Sequence, residues 1–208
     1  MLDNKEIKCV ILAGGKGSRL DGKGKFSQIL CNKTLLEHVL FRLSGQTDNI
    51  AINFRDSKSS FYKDYSLVLD EFKENIGPLA GIHAALSDSI KNKKKGTQLV
   101  VTVPVDTPFL PLDLIAKFKN KIKSSLADVV VACSGNRHHP TIAIWRVSVI
   151  KKLELCIKNK VRKIDMFTKN LERAYLSWDV RNYDPFFNVN DLKDLNYAES
   201  MIRKNIIS

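Results

Sequence analysis

Long apolar runs are missing from this 208-residue sequence. None approaches the roughly 20 residues that a membrane-spanning helix needs, so no spanning helix is expected. The first six residues, Met1 to Glu6, are polar and mixed in charge, and the next apolar run is only Cys9 to Ala13. That pattern does not resemble a secretory signal, and a cytoplasmic protein is expected. Cysteine is also scarce. Cys9, Cys31, Cys133 and Cys156 stand far apart with no C-x-x-C pair, which excludes a zinc set and suits four reduced thiols. There is no internal repeat, no low-complexity linker and no Pro/Gly/Ser-rich break. With 44% hydrophobic residues the chain has material for one real core and not comfortably for two, so residues 1–208 read as a single domain.

Charge is unbalanced. Thirty-four Lys and Arg face 22 Asp and Glu, a net +12, which suggests an anionic partner: nucleic acid, an acidic membrane surface or a phosphorylated small molecule. The excess is spread along the chain. Its one dense cluster, from Lys91 to Gly96, falls in an expected loop with no aromatic residues interleaved. Nucleic-acid binders stack bases on such aromatics, so nucleic acid is not the expected partner.

Short β-branched runs alternate with amphipathic stretches over the first two thirds of the chain. Strands are expected at Lys8–Leu12, Asn49–Asn53, Leu67–Leu69, Leu99–Val103, Asp128–Cys133 and Thr141–Trp145. Helices are expected over Thr34–Leu43, from Pro78, over Pro111–Lys123, near Val147–Lys158 and over Leu192–Arg203. Thr34 and Glu37 have capping-box spacing, and Asp113 suits a helix terminus. This alternation predicts an α/β fold with a mostly parallel central sheet whose ligands sit at the carboxyl ends of the strands. Four segments would then bring polar groups to one edge: the Gly14–Lys25 loop, Asn53, Asp70 and Val105–Thr107.

The loop from Leu12 to Leu20 reads Leu-Ala-Gly-Gly-Lys-Gly-Ser-Arg-Leu. It fails two better-known phosphate signatures by one residue each. A P-loop would need a hydroxyl at Gly24, and a dinucleotide fingerprint would need glycine at Leu20. What remains is physical: glycines after a strand let backbone N–H groups approach phosphate oxygens. Arg19 and Lys25 add positive charge where a triphosphate accumulates negative charge. Asp106, just beyond the most apolar strand, stands where a Mg²⁺ ligand would, because Mg²⁺ takes one or two carboxylates and completes its shell with water and phosphate oxygens.

The order LAGGKGSRL with Lys25, NIGPLAG, VDTPFLP, HHPTIA and FFNVNDLKDL resembles molybdenum cofactor guanylyltransferases of the MobA type. The likeness runs from about Lys8 to Leu195, nearly the whole chain. It implies a single-domain Rossmann-like nucleotidyltransferase fold with helices on both faces of the sheet. The N-terminal part would bind nucleotide and the C-terminal part the acceptor. The reaction implied is transfer of GMP from GTP to the terminal phosphate of molybdenum-molybdopterin, with release of pyrophosphate. By this resemblance Leu12, Ala13, Gly14 and Gly15 hold the nucleotide, Lys25 its phosphates, Asn53 and Asp70 the base and ribose end, and Asp106 the Mg²⁺ cofactor. Lys25, Asp106 and Arg19 would be catalytic. His139, Asn188 and Asn190 would lie nearest the pterin. A monomer is expected, with GTP and the pterin as substrates and passing contact with molybdoenzymes or their chaperones. A cytidylyltransferase of the same pterin, or a relative with a sugar-phosphate or other phosphorylated acceptor, is the alternative.

The chain departs from the family pattern at three places. Gly24 stands where an acidic residue usually precedes the lysine, with Asp21 a nearby substitute. Asp191-Leu192 follows Asn190 where the family has a TPEEL-like stretch, and Asp191 still suits a helix cap. The segment around Asn53 is one residue shorter, so Asn53 matches either of two family positions. His38, His138, Trp145 and Trp178 read as packing or loop residues. Arg162 and Lys163 suit either a pterin phosphate or a solvated helix start.

Overall fold

Alternate residues of a strand face opposite sides of a sheet, and here both sides are apolar, so the central strands need a helical layer on each face. The structure, a computed structural model, describes residues 7–15, 24–55, 64–72, 74, 76–92 and 98–207. In chain order the strands are β1 (Ile7–Leu12), β2 (Ile29–Leu30), β3 (Lys33–Thr34), β4 (Ile50–Phe54), β5 (Ser66–Leu69), β6 (Leu99–Pro104), β7 (Val129–Ser134), β8 (Arg137–Arg146) and β9 (Arg173–Trp178). The helices are α1 (Leu35–Ser44), α2 (Pro78–Lys91), α3 (Leu114–Lys123), α4 (Ile150–Lys158), α5 (Ile164–Thr168) and α6 (Leu192–Arg203).

Seven strands form one sheet in the order β5-β4-β1-β6-β8-β7-β9, and β2 with β3 makes a separate small hairpin. Within the seven-stranded sheet β8 alone runs antiparallel to its neighbours, and the other pairings there are parallel. Ile7, Cys9 and Ile11 of β1 meet Leu36, Val39 and Leu43 of α1 and Phe118 of α3 on one face. Val10 of β1, Val100 of β6 and Trp145 of β8 meet α2, α4 and α5 on the other. Burial raises the Cys9 thiol to about 12, which keeps it a neutral apolar group.

The expected helices form within a few residues of their sequence bounds. Thr34 Oγ1 accepts the Glu37 N–H at 3.1 Å, and a Glu37 carboxylate oxygen accepts the Thr34 N–H at 2.6 Å, closing the capping box. Asp191 caps α6 by accepting from the N–H groups of Lys193 and Asp194. Asp113 precedes α3 without capping it; its carboxylate instead accepts the Trp178 indole N–H at 2.9 Å and pairs with Lys117. Trp145 is buried and Trp178 nearly so, while His38 bonds the Leu30 carbonyl and His138 stacks on Tyr175. No helix among the described residues is long and apolar enough to cross a membrane.

β8 carries an irregularity that matters for the site. Val131 pairs with Ala143, but the next residue, Ala132, pairs with His139, so Pro140–Ile142 bulge out of the ladder. Proline has no N–H for the ladder, so a bulge is where it fits.

Phe118→Ala should destabilise the fold by about 3–5 kcal/mol, because its ring is fully buried and packs edge-on against Trp178. Thr34→Ala should cost about 1 kcal/mol through loss of the cap. Urea unfolding midpoints of the two variants measure both.

Candidate active site

The carboxyl ends of β1, β4, β5 and β6 lie side by side, and a cavity of about 400 Å³ opens above them. Leu12, Gly14, Gly15, Lys25, Asn53, Asp70 and Asp106 all line it. Seven of the residues singled out in the sequence, from four separate segments, therefore meet at one place. Arg19 lies outside the described residues, as do Asp21 and the rest of 16–23.

Asp106 follows the buried strand β6, where an isolated carboxylate would be costly. Lys25 Nζ meets its Oδ2 at 2.6 Å and the Asn190 Oδ1 at 2.7 Å. The Val189 N–H donates to the Asp106 carbonyl at 2.8 Å, so the segment before α6 is tied by main chain to the same residue. Asp106 Oδ1 is buried and has no hydrogen-bond partner among the described residues. An unsatisfied buried carboxylate oxygen at the rim of a cavity is an acceptor waiting for a cation or a donor.

The donors fit Mg²⁺ in one specific way. Among the described residues no three His, Cys, Asp or Glu side chains cluster, so these residues offer no all-protein cage. One carboxylate with a free oxygen beside a phosphate-sized space is what a Mg²⁺ shared with substrate oxygens requires.

At the other end of the cavity Asn53 is buried, and its amide donates to Asp70 Oδ1 at 2.8 Å and to the Val68 carbonyl at 3.1 Å. Burial pushes the Asp70 carboxyl above its ordinary value, and the Asn53 hydrogen bond only partly opposes that. A desolvated carboxylate of this kind gains from each further N–H donor. Gly81 of α2 makes the arrangement possible. A Cβ there would stand 2.5 Å from Asn53 Oδ1 and 3.0 Å from a Leu12 methyl. Gly77, with φ 66°, lets the chain turn sharply into Pro78 at the start of α2.

Gly24 also has a physical reason. Its φ is 89°, and a Cβ would meet the Phe26 ring at 2.8 Å. The acidic residue usual in the family would be strained here on both counts.

Four sequence-singled residues do not line the cavity. Ala13 is buried, and its N–H donates to the Asn53 carbonyl. Asn190 acts from behind, through Lys25, while Asn188 Oδ1 accepts from the Thr107 hydroxyl at 2.9 Å. His139 is 6% exposed, 2.7 Å from Ser134 Oγ and against the Phe186 ring. The bulge explains this last placement: it sets His139 in the core and leaves Thr141, two residues on, lining the cavity. Sequence reading also passed over Arg55 and Glu74, which line the cavity too. Arg55 directly follows β4, and that position was a readable signal. Glu74 carries none; it pairs with Arg162 at 3.3 Å from across the chain.

Burial holds the His139 imidazole below its ordinary 6.5, so the unfolded chain takes up a proton first as the pH falls. His139 therefore contributes stability that is present above that ordinary value and is lost below it. Thermal unfolding should show a melting temperature that declines as the pH drops below about 6.5, with a shallower decline in His139→Gln. His38, shifted the same way by burial, keeps a residual slope.

Residues 9–174 match the family described as the MobA-like NTP transferase domain. A molybdenum cofactor guanylyltransferase of Rhodopseudomonas palustris (strain HaA2) is 36% identical over 204 residues, covering 97% of this chain and 94% of that one. A protein of the same name from Nitrobacter hamburgensis is 36% identical over 194 residues, covering 92% of each. The solved structure of molybdopterin-guanine dinucleotide biosynthesis protein A from Archaeoglobus fulgidus superposes with a TM-score of 0.76 at 27% identity, covering 95% of this chain and 99% of that chain. With the glycine turn, Lys25 and Asp106 on one cavity, these likenesses settle the family: the chain is a member of the MobA-like NTP transferases.

Proposed function

We propose that this protein transfers GMP from GTP to the terminal phosphate of molybdenum-molybdopterin, forming the guanine dinucleotide cofactor and pyrophosphate. The observation that carries the reading is Asp106: ion-paired to Lys25, unsatisfied at Oδ1, and facing a cavity whose rim is Gly14 and Gly15. Relatives about 36% identical over nearly the whole chain bear the name molybdenum cofactor guanylyltransferase, and that name supplies base and acceptor.

The described residues divide the work. Gly14 and Gly15 allow close approach of phosphate oxygens, as the lack of a Cβ permits. Lys25 uses two of its three N–H donors on Asp106 and Asn190, which fixes the ammonium at the phosphate end. Asp70, steadied by Asn53, presents an acceptor at the opposite end. Guanine offers N–H donors on its Watson–Crick edge, so a desolvated carboxylate there favours GTP over CTP. Asp106 would hold Mg²⁺ through its free oxygen. Mg²⁺ there would neutralise charge on the transferring phosphorus group and on the leaving pyrophosphate.

The acceptor phosphate is already ionised and needs no general base. Its oxygen forms the new bond to the α-phosphorus of GTP as the α–β bridging bond breaks, and the electron pair leaves with pyrophosphate. The protein contributes position and electrostatics, which dominate phosphoryl-type transfers.

The decisive assay is pyrophosphate release with a panel of nucleoside triphosphates, with and without molybdenum-loaded pterin. GTP should be turned over only when the pterin is present, and consumption of CTP instead would refute the guanylyl assignment. Asp106→Ala should lower kcat by at least about 10²–10³-fold, the scale of losing a main electrostatic stabiliser. EDTA should abolish turnover of the wild type, and Mg²⁺ should restore it. Gly81→Ala should weaken GTP binding about tenfold or more, the equivalent of one displaced hydrogen-bonded group, with kcat at saturation changed much less.

A further inference from the structure

A second pocket, of about 560 Å³, lies between the C-terminal part of α1, the Leu110–Asp113 turn and the segment after β9. Arg42 of α1 is in its wall and is only 7% exposed, yet among the described residues its guanidinium makes no hydrogen bond and no ion pair. None of its nitrogens is fully enclosed, so the small exposed part of Arg42 includes N–H donors that open on the pocket without an acceptor among the described residues. The other charges of the wall are already matched. Asp113 is held by the Trp178 indole and by Lys117, and Asp179 lies 3.6 Å from Arg181. Arg42 is the cation left over. No carboxylate acts on its protonation; the ordinary value is lowered by burial, with only the Tyr183 phenol opposing.

The pocket is a firm one. Gln46, one turn beyond Arg42, donates to the Pro111 and Arg42 carbonyls at 2.9 and 2.8 Å and accepts from the Ile115 N–H at 2.9 Å. The end of α1 is thereby fastened to the turn that forms the opposite wall. Trp178 and Tyr183 add aromatic surface.

We propose that this pocket is an oxyanion site in which Arg42 receives a small phosphate-class anion, either free phosphate or the phosphate of a small aromatic ester. A planar guanidinium matches two phosphate oxygens with two parallel N–H bonds, and the pairing supplies the counter-charge that the fold withholds. The site is separate from the catalytic cavity, and its existence does not depend on the transfer reaction. It sits on the same two segments, however. Leu110–Asp113 continues from Asp106, and Asn182–Pro185 runs on to Asn188 and Asn190. An anion bound there would hold both segments.

The two indole N–H resonances report on it, since Trp178 is in the wall and Trp145 is in the core; Trp178→Phe assigns them. Inorganic phosphate, titrated at constant ionic strength against chloride, should shift the Trp178 resonance saturably and leave Trp145 in place. Lys25→Ala should keep that response, and Arg42→Gln should weaken it at least tenfold. Phenyl phosphate binding more tightly than phosphate would identify an ester site with the ring on the aromatic wall; equal affinity would identify the bare anion as ligand. A response without saturation, one matched by chloride, or one unchanged in Arg42→Gln would overturn the proposal. Stability gives a second reading through Arg42→Met. If Arg42 waits for a ligand, this variant melts at or above the wild-type temperature without phosphate, and phosphate raises only the wild type. If it melts several degrees lower and phosphate raises neither protein, Arg42 is structural and the proposal fails.

Discussion

A carboxylate at the end of a buried central strand must be neutralised, and most of this site follows from how Asp106 meets that constraint. Lys25 reaches it from the glycine loop after β1, more than 80 residues away, and Asn190 fixes the lysine from just before α6. The Val189 N–H on the Asp106 carbonyl adds a main-chain tie. Three distant parts of the chain are held to one atom group. The last segment, whose helix α6 packs on a small cluster with Leu30, Leu35 and Phe109, is therefore a structural partner of Asp106. Asn190 thus touches Lys25 without lining the cavity.

The opposite end of the cavity depends on the absence of a side chain. The Asn53 amide is clamped between Asp70 and the Val68 carbonyl, and α2 must pass close enough to cover it. Only glycine at position 81 allows that approach. The Gly-Pro-Leu-Ala-Gly run thus encodes two different requirements. Gly77 supplies a left-handed turn into the helix, and Gly81, already helical, supplies clearance. One short motif shapes the helix start and its packing against the polar pair.

Sequence periodicity was enough to place the central strands and five helices, because long buried runs and caps such as Thr34 and Asp191 carry strong local signals. It missed β9, where exposed Arg173, Tyr175 and Ser177 alternate with Ala174 and Leu176, both only partly buried, and with buried Trp178 in a six-residue edge strand. It missed the direction of β8, since pairing partners are not a local property. For the site, polar residues at strand ends were legible because the strands were. The placement of His139 was not. His139 looked functional beside Pro140 and Thr141, but a bulge visible only in three dimensions turns His139 inward and gives the cavity Thr141. Arg42 was invisible for a related reason: it stands in an amphipathic helix whose polar face would ordinarily be solvated.

The net charge of +12 finds only part of its explanation at the cavity. Among the described lining residues two cations, Lys25 and Arg55, face three carboxylates, Asp70, Glu74 and Asp106. Arg162 pairs with Glu74, so that wall is close to neutral and offers a triphosphate little net attraction. Binding then requires added positive charge at the phosphate end, and two sources suit it. One is a divalent cation on the unsatisfied Asp106 oxygen. The other is the sequence between Gly15 and Gly24, which carries Lys16, Arg19 and Lys23 and lies outside the described residues. Neither source alone matches the charge of a triphosphate, whereas together they oppose most of it. Cation and nucleotide should therefore bind with positive linkage, each raising the affinity for the other by the same factor.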